Sequence, residues 1–234
     1  MCVERAERAA RVHGIYLLTP DVADTDFDSL LVKLDAALAA GVSMVQFRSK
    51  SDGRAAAASD GQRLEHARSV QAAARAHRAL FIVNDDVELA LTVDADGVHL
   101  GRDDGDHAAA RARLPRRLLG VSCYDDLQRA EAAIAIGADL LAFGSMYASS
   151  TKPAAVRSSP QLLREARRRH PRARIVAIGG IDVGNIRQIG AAGAHAAAVI
   201  SAVFDAPDAG RAARQLLEEF NRGLAQHESQ RTTV

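Results

Sequence analysis

The chain has 234 residues, of which 48% are hydrophobic and 25% charged, a composition that suits one globular domain with a sizeable core. Its formal net charge of +1 provides no global field to attract nucleic acid or an anionic membrane, and its two cysteines are too few for a disulfide framework. No apolar run reaches the roughly 18 residues that would cross a bilayer. We therefore expect a cytoplasmic protein with no nucleic-acid partner and no membrane partner, and the composition leaves its oligomeric state unknown.

Short apolar runs alternate with helical patterns along the whole chain. Such alternation demands a parallel sheet covered by helices, and eight strand and helix pairs favour a closed barrel. A doubly wound open sheet is the alternative, but no Gly-x-Gly-x-x-Gly turn follows the first strand. We predict the α/β class, with a single (β/α)8 TIM barrel in residues 1–234, a short N-terminal extension (1–13) and a frayed C-terminal tail (227–234). The predicted strands are 15–18, 44–47, 81–83, 97–100, 118–121, 140–143, 175–178 and 196–200.

Carboxylates follow both the third and the fourth predicted strand. Asn84, Asp85 and Asp86 come after the first of these strands, and residues 101–104 follow the second. Because neighbouring parallel strands lie about 5 Å apart, Asp85 and Asp104 are expected to project over the same sheet edge. There they could share one magnesium ion, which completes its shell with water and substrate phosphate oxygens. At this point, helix N-capping by both Asp residues is an equal alternative.

Groups suited to anions follow other strands. In an eight-fold barrel the active site sits at the C-terminal ends of the strands. Arg48 and Lys50 follow the second strand and offer a fork of donors and a point charge, both suited to phosphate. Gly180 follows the seventh strand and Ser201 the eighth, where such barrels frequently bind a phosphate on backbone amides. These positions predict a diphosphate site and a monophosphate site on either side of one metal.

No obvious nucleophile lies between the two predicted anion sites. Cys123 would need a partner that lowers the pKa of its thiol, and a buried thiol at a strand end is the favoured interpretation. His99 lies inside the fourth strand, where a packed core histidine is favoured over a catalytic one. A site with a metal, cations and no nucleophile suits the departure of a diphosphate through electrostatic stabilisation.

Seven segments at or around the strand ends occur in order from about residue 14 to residue 205: QFRSK, FIVNDD, DGVHLGRDD, LLGVSCY, FGSMYASSTKP, VAIGGI and VISAVF. In sequence and in order they resemble those of the thiamine-phosphate synthase family, also called thiamine-phosphate pyrophosphorylase. The resemblance implies a transferase that uses Mg²⁺ and takes two small-molecule substrates. It would join 4-amino-5-hydroxymethyl-2-methylpyrimidine diphosphate to 4-methyl-5-(2-phosphoethyl)thiazole, carboxylated or not, giving thiamine phosphate and diphosphate. Departure of the diphosphate would leave a pyrimidine-methyl cation that the thiazole nitrogen captures.

By position, the resemblance also implies a role for each residue of the site. Asp85 and Asp104 would bind the magnesium ion, and Lys152, Arg48 and Ser122 would act in catalysis. The pyrimidine diphosphate would be bound by Gln46, Arg48, Lys50, Asn84, Ser122 and Lys152, and the thiazole phosphate by Ser149, Thr151, Gly180, Ile200 and Ser201.

Some positions depart from the family pattern without removing a phosphate or metal ligand. Ser49 stands in place of an acidic residue, Ser145 in place of a proline, and Cys123 with Tyr124 in place of a Thr-His pair. Two other functions remain alternatives. A thiazole tautomerase would share the barrel and the monophosphate pocket without coupling, and a non-catalytic barrel would only bind a phosphate ligand. Retention of Arg48, Lys50, Asp85, Asp104 and Lys152 favours the synthase.

Overall fold

The computed structural model describes residues 2–49, 59–148 and 157–232. Its strands are all parallel and pair in chain order, and β8 pairs with β1, so that the sheet closes into a barrel. This confirms the predicted (β/α)8 fold. The strands are β1 (Gly14–Leu18), β2 (Met44–Phe47), β3 (Leu80–Asn84), β4 (Gly97–Leu100), β5 (Leu118–Tyr124), β6 (Leu140–Phe143), β7 (Arg174–Ile178) and β8 (Ala196–Val199).

One helix precedes the barrel and the others connect or follow its strands. The helix predicted for residues 208–224 begins at Ala209 and continues beyond Leu224 to Thr232 through a sequence without Gly or Pro. A short helix that was not predicted, Ser201–Phe204, precedes it. The helices are α1 (Val3–Ala10), α2 (Phe27–Ala39), α3 (Asp60–Ala76), α4 (Val87–Thr92), α5 (His107–Arg113), α6 (Leu127–Ala135), α7 (Pro160–Arg169), α8 (Ile186–Ala191), α9 (Ser201–Phe204) and α10 (Ala209–Thr232). Among the described residues, none of these helices is both long enough and apolar enough to cross a bilayer.

The two-residue repeat of the strands divides the apolar side chains between two cores. Val98 and Leu100 of β4, for example, belong to the larger core, which lies between the barrel and the surrounding helices. The smaller core fills the barrel, and Ala9 of α1 and Val12 pack into it. Helix α1 therefore closes the N-terminal end of the barrel. The strand residues of the smaller core are Tyr16, Leu18, Met44, Leu80, Ile82, Leu118, Leu140, Ala142, Val176, Ala196 and Ala198.

Ion pairs fix α1 to this end of the barrel. The fully buried side chain of Asp139 lies 2.9 Å from Arg5 Nε and 3.1 Å from Arg111 Nη1, and Oδ2 accepts a hydrogen bond of 3.0 Å from the Leu119 amide. Burial raises the pKa of Asp139, while this amide and the two guanidinium groups act in the opposite direction. Arg8 Nε donates to Asp96 Oδ1 over 3.0 Å. The carboxylates of the closed end are thus paired with arginines of the protein.

Candidate active site

A cavity of about 350 Å³ opens at the C-terminal ends of the strands. The side chains predicted for both substrates and for the metal come from seven different loops or strands, and the barrel brings the described ones to this cavity. Lys50, Ser149, Thr151 and Lys152 lie outside the described residues. The predicted residues that line the cavity are Gln46, Arg48, Asn84, Asp85, Asp104, Ser122, Gly180, Ile200 and Ser201.

Neither Asp85 nor Asp104 caps a helix. The N-cap of α4 is Asp86, whose Oδ1 accepts from the Leu89 amide over 2.8 Å, and the N-cap of α5 is Asp106. Asp104 Oδ2 accepts instead from the Gly101 amide over 2.6 Å, within its own loop. The N-cap alternative is therefore wrong for both residues, and both carboxylates line the cavity.

The backbone of Asp85 departs from the ordinary geometry of a strand end. Its φ of +64° lies in the left-handed region, which costs a non-glycine residue about 1 kcal/mol or more. The Asp85 amide donates to the His99 carbonyl over 2.8 Å and continues the pairing of β3 with β4 for one residue. Strain of this kind concentrates at functional sites, where the surrounding structure maintains it.

The cavity offers hard oxygen ligands for a metal. The described part of the chain holds no group of three or more His, Cys, Asp and Glu side chains arranged to hold an ion. Magnesium does not need such a group, because it is usually bound by one or two carboxylates together with waters and substrate phosphates. Asp85 and Asp104, on the loops after adjacent strands, fit this requirement.

Arg48 is held in place by residues of the loop after β1. Its guanidinium group forms an ion pair with Asp21, and the two side chains are only 13% and 15% exposed. The Arg48 amide donates to Thr19 Oγ1 over 2.9 Å, and that hydroxyl donates to the Arg48 carbonyl over 3.1 Å. Deeper in the cavity, Gln46 Nε2 donates to the Tyr16 hydroxyl over 2.6 Å. Burial raises the pKa of Tyr16, which therefore remains a neutral phenol.

His99 faces the cavity, although the sequence favoured a core position. Its side chain is 8% exposed, and Nε2 lies 3.0 Å from Ser122 Oγ. Gly120, its partner on β5, provides the room for the ring, because a Cβ atom there would lie 2.5 Å from Nδ1. The feature of the sequence that indicates this orientation is the two-residue repeat of β4. Since Val98 and Leu100 face the outer core, His99 has to face inward.

Cys123 is not part of the cavity. It faces the outer core together with Val121, and burial raises the pKa of its thiol to about 12. The thiol is therefore neutral and buried outside the cavity, in agreement with the favoured interpretation from sequence. The cavity gains no nucleophile from it.

The wall of the cavity across the barrel from Asp85 and Asp104 is formed by glycine backbone. Gly179 and Gly180 have φ of +103° and +62°, and a Cβ atom on Gly180 would lie 2.2 Å from the Ala148 carbonyl oxygen. Asn185 Nδ2 donates to the Gly180 carbonyl over 2.9 Å. Ser145 donates from its hydroxyl to the Tyr147 carbonyl over 2.7 Å. The Met146 amide donates to the Ile178 carbonyl over 3.0 Å and the Tyr147 amide to the Gly179 carbonyl over 2.9 Å, so hydrogen bonds hold the described part of the loop after β6 against the end of β7.

Several residues that line the cavity were not predicted as site residues, and some of these carry polar or charged side chains. Tyr16, Arg102 and Asp103 belong to the lining, as does Tyr124, which the sequence marked only as a departure from the family pattern. The side chain of Asp103 is exposed, and the guanidinium Cζ of Arg102 lies 4.9 Å from the centroid of the Tyr124 ring. The sequence places Arg102 and Tyr124 on the loops after β4 and β5, but it does not indicate that they touch.

Comparisons with known proteins agree with this geometry. The family described as thiamine monophosphate synthase matches residues 15–203. The thiamine-phosphate synthase of Aromatoleum aromaticum is 49% identical over 201 residues, which cover 86% of this chain and 92% of that protein. The enzyme of the same name from Chromobacterium violaceum is 50% identical over 212 residues, covering 90% and 97%. The solved thiamine phosphate pyrophosphorylase from Pyrococcus furiosus superposes with a TM-score of 0.77 at 30% identity, covering 92% of this chain and 99% of that one. The chain therefore belongs to the thiamine monophosphate synthase family.

Proposed function

We propose that the protein is a thiamine-phosphate synthase that transfers the pyrimidine-methyl group of 4-amino-5-hydroxymethyl-2-methylpyrimidine diphosphate to the nitrogen of 4-methyl-5-(2-phosphoethyl)thiazole, carboxylated or not, with release of diphosphate and, from the carboxylated thiazole, of CO2. Relatives of that name that match most of the chain support the transferase activity. The observation that carries the chemical proposal is the composition of the cavity. The cavity is lined by two carboxylates on adjacent loops, by arginine side chains, and by the backbone of Gly179 and Gly180, which we call the glycine wall. Cys123, on β5, is buried in the outer core.

The side of the cavity that carries Asp85 and Asp104, which we call the carboxylate wall, is the proposed binding site of the diphosphate. Asp85 and Asp104 would hold Mg²⁺, which when bound offsets the negative charge of the departing diphosphate. Arg48 would donate to phosphate oxygens, and Asp21 and Thr19 orient it for this role. Lys50 and Lys152 are proposed to add positive charge, with Lys152 acting on the leaving group. Asn84, Gln46 and Ser122 would bind the same substrate through hydrogen bonds.

The glycine wall is the proposed side for the thiazole phosphate. The close approach of backbone that Gly180 permits, together with Ile200 and Ser201, would hold this anion, and Ser149 and Thr151 are proposed to join them. Binding the two substrates on opposite walls brings the thiazole nitrogen to the carbon that loses the diphosphate. In this scheme the second substrate is itself the nucleophile. No side chain of the protein has to attack, which is consistent with the neutral thiol of Cys123.

A coupling assay tests this function. The protein is incubated with both substrates, with and without Mg²⁺, and thiamine phosphate and diphosphate are quantified. We expect the two products in equal amounts, and none after the metal is removed by a chelator. Binding of the substrates without turnover would indicate the non-catalytic barrel, and isomerisation of a carboxylated thiazole without coupling would indicate the tautomerase. Either result would contradict the proposal.

A further inference from the structure

The carboxylate wall carries an arginine that the scheme above does not use. Arg102 follows Gly101 in the loop after β4 and lines the cavity. Its guanidinium Cζ lies 4.9 Å from the centroid of the Tyr124 ring, a cation–π contact. Arg129 approaches the same ring from α6, at 5.5 Å, but does not line the cavity. Tyr124 is therefore a platform for two guanidinium groups, of which only that of Arg102 faces the ligand space.

The platform adjoins the proposed metal ligand. A Cβ atom on Gly101 would lie 2.8 Å from Asp104 Oδ2 and 3.8 Å from the Tyr124 hydroxyl, so that the carboxylate and the phenol flank the same glycine. Tyr124 itself has a left-handed backbone, with φ of +55° at the end of β5. A bulky residue adopts this conformation only where its surroundings maintain it. The ring, Arg102 and Asp104 thus form one continuous part of the cavity rim.

The charges of the cavity single out Arg102. Among the described residues that line it, the arginines are Arg48 and Arg102. The charge of Arg48 is offset by Asp21 in a largely buried ion pair. Arg102 forms no ion pair with any residue in the described ranges 2–49, 59–148 and 157–232. A guanidinium group that rests on an aromatic face keeps the donors in its plane available for an anion.

The position of Arg102 in the barrel decides which anion it serves. Arg102 follows β4 and Tyr124 ends β5, next to the loop of Asp85 after β3. Gly180 and Ser201 follow β7 and β8, across the barrel. An anion held between Arg102 and a metal on Asp85 and Asp104 would therefore be the diphosphate and not the thiazole phosphate.

We propose that Arg102, seated on Tyr124, is a further diphosphate-binding residue that donates hydrogen bonds to phosphate oxygens at the rim beside Asp104. It contacts the diphosphate of the substrate and also the diphosphate that is released. Arginine is suited to this contact because its fork of donors matches two phosphate oxygens. The assignment rests on the proposed synthase function.

The test compares Arg102→Gln with the matched variant Arg129→Gln, which alters the other guanidinium on the same ring. Binding of inorganic diphosphate in the presence of Mg²⁺ is measured by calorimetry. We expect Arg102→Gln to raise the Kd by about tenfold, because a charge-assisted contact is lost, and Arg129→Gln to stay within about twofold of the wild-type protein. Tyr124→Leu should raise the Kd by about threefold, since the guanidinium loses its seat.

Steady-state kinetics separates a direct contact from a general disturbance of the loop. Arg102→Gln should raise the KM for the pyrimidine diphosphate and leave the KM for the thiazole phosphate unchanged. An Arg102→Gln Kd within about twofold of the wild type would overturn the proposal, as would equal losses in the two arginine variants. A wild-type protein that binds diphosphate but does not couple would contradict the synthase function and still allow the Kd comparison. A wild-type protein that couples, with diphosphate binding unaffected by Arg102→Gln, would contradict only the role of Arg102.

Discussion

The two ends of the barrel place aspartate side chains in different surroundings. At the N-terminal end, Asp139 is fully buried between Arg5 and Arg111 and also accepts from the Leu119 amide, while α1 closes the opening. At the C-terminal end, Asp85 and Asp104 line an open cavity of about 350 Å³. The carboxylate of Asp139 therefore stabilises the fold, whereas those of Asp85 and Asp104 face a ligand space. This division is typical of such barrels.

Backbone strain separates the two ends in the same manner. Arg78 and Asp94 have positive φ at the N-terminal end, and each directly follows the C-cap of a helix, α3 or α4, where a left-handed residue is an ordinary way to end a helix. Asp85 and Tyr124 have positive φ at the ends of strands, on the cavity. Positive φ at the closed end thus occurs where the chain leaves a helix, whereas positive φ at the open end occurs in residues that line the cavity.

The largest effect is expected from breaking the closed end. Asp139→Ala would leave Arg5 and Arg111 buried without their carboxylate, and we expect a loss of about 3 to 5 kcal/mol in the free energy of unfolding. Urea denaturation measures this loss. The control, Asp103→Ala, removes an exposed carboxylate at the open end and should change stability by less than about 0.5 kcal/mol. A loss below about 1 kcal/mol in Asp139→Ala would contradict the structural role of the buried ion pairs.

A smaller and more selective effect is expected at the glycine wall. In Gly180→Ala the new Cβ atom would meet the Ala148 carbonyl oxygen at 2.2 Å, so the backbone that receives the thiazole phosphate must shift. The KM for the thiazole phosphate should rise by about tenfold, with that for the pyrimidine diphosphate nearly unchanged. Gly105→Ala is the matched control, because its φ of +86° imposes similar strain while a Cβ atom there meets nothing within 4 Å. Equal increases in both KM values of Gly180→Ala would contradict the two-wall arrangement.

The most gradual effect, spread over several pH units, concerns the pH dependence of the closed end. His195 Nδ1 accepts from the Ile175 amide over 2.8 Å, and burial together with Arg167, Arg174 and His227 lowers its pKa from 6.5 to about 3. Between these values the unfolded chain binds a proton that the folded protein does not. Stability should therefore fall as the pH decreases from 6.5 towards 3, by at most about 1.4 kcal/mol per pH unit from this group.

His195→Asn tests this dependence, because an amide oxygen can accept from the Ile175 amide without titrating. Free energies of unfolding at several pH values between 6.5 and 4 should give a flatter profile for the variant than for the wild type. Identical profiles would show that His195 does not contribute to acid sensitivity.

The sequence predicted the barrel well because strand and helix alternation determines a parallel order, and the barrel then determines which strand ends meet. The choice between Asp85 and Asp86 as the helix cap was beyond it, since both residues carry a suitable carboxylate. In the structure Asp85 has a left-handed backbone, and Asp86 is the residue that caps the helix. The inward orientation of His99 could have been predicted, because its apolar neighbours on β4 indicate which face of the strand is inward. The contacts of Asp21 with Arg48 and of Arg102 with Tyr124 could not have been predicted from the sequence, because they depend on how separate loops approach each other.

The most direct test of the contrast between the two ends is the magnesium dependence of coupling in Asp85→Asn and Asp104→Asn. Asp106→Asn is the matched control, because Asp106 caps α5 outside the cavity and asparagine caps a helix about as well. Each cavity variant should remain folded by circular dichroism, require at least about tenfold more Mg²⁺ for half-maximal rate and turn over more slowly at saturating metal, whereas the control should match the wild type. The double variant should lose less than the sum of the two single losses, because both residues would serve one ion. A half-maximal Mg²⁺ concentration unchanged in both single variants would contradict the account.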